Sequence, residues 1–123
     1  MTFDEKMKKT IISIFALLLM TAIAATYHYC SMDGLDGLFF SRLFQEDTVY
    51  APGYSDTAFR KVTAGMSQSE VLALLGPPIS EWESCDNMAM GWSKSPGDTH
   101  YRQRAVFFQN GVVTKTLSEF YVD

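Results

Sequence analysis

Two cysteines and two histidines are the side chains in this 123-residue chain with the most chemistry to offer. Cys85 and His100 can be drawn as a nucleophile and its base. Nucleophilic catalysis also needs a third group that orients the base, and no spacing in the sequence brings such a group, or even the pair, together. His28 sits at the end of an apolar N-terminal run and is either lost with it or held at a membrane. No Gly-rich phosphate loop, metal-spaced Cys/His cluster or Gly-x-Ser-x-Gly elbow occurs. The expectation is therefore a non-enzymatic protein with no cofactor, no metal and no small-molecule substrate. In an exported protein Cys30 and Cys85 have a second use, a disulfide that would contribute about 4 kcal/mol in the chain-entropy model. The alternative is that they never meet and Cys85 is buried as a small hydrophobe.

Recognition is the other chemistry on offer. Trp82, Trp92, Phe107, Phe120 and Tyr121 are the aromatic candidates for a partner surface, because aromatics carry interface energy when exposed together. In a small domain they more often belong to the core, and Trp92 is assigned there. Phe107 is the exception, since its neighbour Phe108 takes the inward position.

The elements that position these residues are legible in part. Ser67 and Glu70 form a capping box, preceded by Met66 and followed by Val71 where a hydrophobic staple would lie. Val71, Leu74 and Leu75 make the apolar stripe of a short helix. Gly76 closes it and Pro77-Pro78 forbid its continuation. An earlier helix is expected over 55–64, with Ser55 or Asp56 as N-cap, Phe59 and Val62 inward and Gly65 at its end. Asn110-Gly111 between two β-rich runs predicts a type I′ hairpin that pairs Gln109 with Val112 and Phe108 with Val113. On that register Val106, Phe108 and Val113 face the helices, while Phe107, Thr114 and Thr116 share the opposite face. A strand near 89–93 carries Trp92, and Ser95-Pro96-Gly97-Asp98 turns the chain. Trp82 and Cys85 fall in a stretch of weak pattern that reads equally as an extra strand or a long loop.

The N-terminus carries its own instruction. Lys6, Lys8 and Lys9 precede an apolar run from Ile11 to Ala25, the order found in a secretory signal, with Ala22-Ile23-Ala24 as a small-residue cleavage site. A retained anchor reads as well: extended to Tyr29, the run approaches the ~20 residues that span a bilayer. Lipidation at Cys30 is a third reading, against which Tyr29 stands where a small residue is wanted. All three leave the lysines cytoplasmic and export the remainder. Residues 1–25 are thus a signal or anchor, and 26–54 a connector in which Leu35, Leu38, Phe39 and Leu43 fall at helical spacing. Residues 55–123 form the domain. The connector helix either lies on a membrane or partner, or else packs on its own domain or stays loose, and the single Arg42 on its polar face favours the second reading. Net charge is −4 overall, and 7 basic against 12 acidic side chains remain beyond residue 25. An acidic surface without a basic face disfavours nucleic acid.

The run from Phe59 to Pro78, with its Gly65-Met66-Ser67, Glu70-Val71 and Leu74-Leu75-Gly76-Pro77-Pro78, resembles the signature of the SmpA/OmlA (BamE-like) envelope proteins. Trp92 and the Val106-to-Val113 block match that family's later aromatic and hairpin, so the resemblance covers about residues 54–121. It implies an α+β fold of two short helices on a three-stranded antiparallel sheet (ααβββ), here preceded by the hydrophobic signal or anchor helix. It also implies a binding role beside the machinery that assembles outer-membrane β-barrels. The alternative is an inhibitor-like or stress-related binding role in the same envelope. On either reading Phe107, Trp82, Thr114 and Thr116 are the partner-binding candidates. Gly65, Met66, Ser67, Glu70, Gly76, Pro78, Asn110 and Gly111 carry the structural motif.

Overall fold

The computed structural model describes residues 1–122, with residues 29–31 described by backbone alone. The chain divides into two compact units, Met1–Ser31 and Met32–Asp123. The first is helical from Phe3 onward, as part of α1 (Phe3–Leu43), and its stretch Phe3–His28 is long and apolar enough to cross a membrane. Length and composition suit a secretory signal and an anchor equally. Gly34, at φ 71° and ψ −179°, interrupts the helical backbone of α1 and leaves residues 35–43 as a separate helical segment.

The second unit is α+β. After α1 come β1 (Val49–Tyr50), α2 (Asp56–Phe59), α3 (Gln68–Leu75), β2 (Ser80–Ser84), β3 (Asn87–Gly91), β4 (Ser93–Lys94), β5 (Tyr101–Gln109) and β6 (Val112–Tyr121). An antiparallel sheet runs in the order β2-β3-β5-β6, and β1 pairs with β4 in a second, two-stranded sheet. The main sheet thus has one strand more than expected. The weak stretch around Trp82 forms β2, an edge strand whose Glu81 and Glu83 discourage pairing with another chain.

The α3 capping box forms on both sides: Glu70 N–H donates to Ser67 Oγ at 3.2 Å and Ser67 N–H to Glu70 Oε2 at 3.1 Å. Such a cap contributes about 1–2 kcal/mol. Gly76, at φ 74°, ends the helix, and its carbonyl accepts from Trp92 Nε1 at 3.0 Å. The first helix is shorter than expected. Ser55 caps it, but after Phe59 the chain tightens into turns in which Val62 N–H donates to Phe59 C=O. That turn brings both Phe59 and Val62 into the core with Val71, Leu75, Met90, Trp92, Val106, Phe108 and Val113.

The hairpin has the anticipated turn, with Asn110 at φ 53° and Gly111 at φ 76°. Phe108 lies opposite Val113 and Gln109 opposite Val112. Beyond these pairs the register shifts: a bulge between Phe107 and Phe108 leaves Thr114 without an opposite residue, and Phe107 faces Lys115. One inserted residue reverses the alternation that follows. Thr116 consequently lies opposite Val106, on the face assigned to the helices rather than beside Phe107.

The compact unit also starts earlier than residue 55. Met32 is 6% exposed and belongs to the main core cluster, and Ala51 is buried in it. The segment 32–54 is therefore part of the domain rather than a linker.

Candidate functional site

On the sheet face away from α2 and α3, one residue from each strand falls into a row. Trp82 pairs with Ala89, Ala89 with Phe107, and Phe107 with Lys115. Gly91, at the end of β3, leaves room that a side chain would fill: a Cβ there would meet Ser80 Oγ at 2.7 Å and the Trp82 ring at 3.1 Å. The Trp82 ring stands edge-on to Phe107 at 6.3 Å between centroids, and Lys115 Nζ lies 4.5 Å from the Phe107 centroid. Ala89, Ala105 and Phe107, with Leu117 packed against them, make a second, smaller hydrophobic cluster.

Phe107 is on the expected face but is not an exposed anchor. It is only 7% exposed, because Trp82 and Lys115 cover it. Trp82, at 36%, is the accessible ring of the pair. Thr114 is exposed at the bulge and donates its hydroxyl to Phe107 C=O at 3.2 Å, so it holds the irregular strand. Thr116 is exposed at the sheet edge on the other face. Of the four partner candidates, Trp82 and Phe107 come together, Thr114 braces them, and Thr116 stands apart.

Cys85 and His100 do not meet. Cys85 is an exposed free thiol in the β2–β3 turn, at φ 53°. Since Met88 pairs with Phe108, that turn lies by the far end of β5 from His100. Eight residues of strand separate the two ends, about 26 Å. His100 instead packs its ring on Phe44 at 4.7 Å. An exposed turn is also not the buried setting expected for an unpaired Cys85. The Cys30 side chain lies outside the described residues.

A polar cluster that the residue patterns did not single out lies on the core side of β5. Arg102 and Arg104 alternate with Val106 and Phe108, which puts two guanidinium groups on the apolar face. Arg104, 1% exposed, donates from Nη1 and Nη2 to Asp33 at 2.7 and 3.0 Å, and from Nε to Asp56 at 3.2 Å. Arg102 bridges Asp33 at 2.8 Å and Glu46 at 3.1 Å. Tyr54 Oη donates to Asp56 Oδ1 at 2.6 Å. Burial alone would raise the Asp33 pKa, but hydrogen bonds and charge from Arg104 and Arg102 outweigh it and hold the carboxyl below its ordinary value. Burial, reinforced by Asp56, pushes the Tyr54 hydroxyl up. The carboxylates are thus neutralised by arginine. Among the described residues no group of three or more His, Cys, Asp or Glu side chains could hold a metal ion. The cluster ties residues 33, 46 and 56 to the sheet, so it is structural chemistry.

Comparison of the chain with protein-family models, with curated proteins and with solved structures finds no match.

Proposed function

We propose that this chain is a non-enzymatic protein-binding module of the bacterial cell envelope, similar in role to the SmpA/OmlA (BamE-like) proteins its sequence resembles. The N-terminal segment takes the domain across or onto a membrane, and the domain then presents its outer sheet face to an envelope protein. The observation that carries this reading is the Trp82–Phe107 pair. A large aromatic ring lies outside the main core, half on the surface, and is held from beneath by Phe107 and from the side by Gly91. A rigid aromatic on a strand loses little side-chain entropy on binding, which suits an interface anchor. The lysines ahead of the apolar run support export.

The experiment is affinity capture from cross-linked native envelopes with tagged wild type and Trp82→Ala. The expected outcome is retention of a β-barrel assembly component, or another envelope protein, by the wild type and a loss of about 2 kcal/mol in binding for the variant, roughly 30-fold. Melting should show only a modest loss of stability, because the ring is partly solvated. Equal capture by both would remove the outer face from the binding role. The mass of the mature N-terminus, measured on the same material, separates cleavage, lipidation and retention.

A further inference from the structure

The helical segment 35–43 has one side fastened to its domain and one side without cover. The fastened side is defined by four contacts. Asp33, just before it, is bound by Arg102 and Arg104. Gly37 is so close to β6 that a Cβ would come within 3.2 Å of the Phe120 Cβ. Phe40 stacks on Phe44 at 5.7 Å, and Phe44 in turn packs on His100. The other side carries Leu35, Phe39 and Leu43, at i, i+4 and i+8, which are 69%, 61% and 61% exposed. These three residues cannot turn inward without carrying Gly37 away from Phe120 and Phe40 away from Phe44. Their exposure is therefore built into the docked position of the segment.

We infer that the Leu35–Phe39–Leu43 stripe lies in the interfacial layer of a lipid bilayer, the bilayer entered by Phe3–His28. The inference rests on the reading that this N-terminal helix is retained as an anchor. Six residues separate His28 from Leu35. Even fully extended, that stretch spans only about 25 Å, so the stripe is kept at the membrane surface at high effective concentration. Tyr27, 77% exposed near the end of the span, is the type of residue that settles at a headgroup level. An amphipathic segment beside an anchor lays its apolar side into the boundary between headgroups and acyl chains. Asp36 and Arg42 are the charged residues of segment 35–43. With one of each sign, apolar insertion rather than attraction to anionic lipid is the source of binding, and zwitterionic lipid should suffice.

The test uses the full chain, with Cys30→Ser and Cys85→Ser, reconstituted in phosphatidylcholine vesicles and spin-labelled through Phe39→Cys or, as a reference, Lys61→Cys. Flotation with the vesicles is read first, then collision of each label with dissolved oxygen and with a water-soluble nickel chelate. The expected result is co-flotation, with several-fold lower nickel accessibility and higher oxygen accessibility at position 39 than at 61. Failure to float would show that the helix is no anchor, and the inference would fall with that reading. Flotation with equal nickel accessibility at both positions would overturn the inference while leaving the anchor in place. Shielding at position 39 with spin–spin broadening that disappears on dilution into unlabelled protein would assign the stripe to a second copy of the chain, and would also overturn it.

Discussion

Replacing Arg104 with alanine is expected to destabilise the domain by about 3–5 kcal/mol at neutral pH, the usual result of removing one partner from a buried ion pair. The arginine is 1% exposed, and its loss strips Asp33 of two hydrogen bonds and Asp56 of one. Arg104→Met should be as severe in charge and milder in volume, because the unbranched chain fills part of the space. The pH dependence has a definite sign. With Arg104 in place the Asp33 pKa is depressed, so its contribution is fully present above the ordinary value of 3.8 and is lost as the pH falls through the lower folded value. In the alanine variant Asp33 keeps only Arg102 as a charged partner, so its carboxyl is protonated more readily. The difference between parent and variant should therefore shrink on acidification. Urea denaturation at pH 7 and near pH 3 measures both. A constant difference would mean that Arg104 acts through packing alone.

Trp92→Ala is expected to cost about 3–5 kcal/mol, seen as a lower urea midpoint at unchanged slope. Trp92 is fully buried, and three of its polar groups are in use. Its indole N–H donates to Gly76 C=O at 3.0 Å, its backbone N–H to Arg104 C=O at 2.9 Å, and its C=O accepts from Ala51 N–H at 2.8 Å. One residue thus joins the end of α3, β5 and the segment after β1. Trp92→Phe should recover part of the loss but leave the Gly76 carbonyl unpaired, for a residual cost of about 1–3 kcal/mol. Wild-type stability in the alanine variant would contradict the core assignment.

What could be read from the sequence depended on how far apart the interacting residues lie. Ser67 with Glu70, and Asn110 with Gly111, act across three residues or fewer, and both motifs have the anticipated geometry. Trp92 and Phe108 were placed in the core by size and alternation, and both are there. The strand β2 was ambiguous because, as an edge strand, it needs only Trp82 among its five residues to be apolar. With that strand unassigned, nothing was on hand to cover Phe107, so its burial was not anticipated. Thr116 was misplaced by a single bulged residue, which no local preference announces. The start of the domain was the largest miss. Asp33 lies 71 residues from Arg104, and no periodicity links positions so far apart. One signal was nonetheless present: the alternation that makes Val106 and Phe108 inward also makes Arg102 and Arg104 inward. Two arginines on an apolar strand face require carboxylates from somewhere else in the chain.

The central claim is that the outer sheet face is where an envelope partner sits, and its most direct measurement is photo-cross-linking in living cells. A photoreactive phenylalanine analogue placed at Trp82, with the same analogue at Lys61 as a reference, is irradiated and the adducts are identified by mass. The account predicts a discrete adduct from position 82 to a protein of the cell envelope and none from position 61. No adduct from position 82, or the same adducts from both positions, would contradict it.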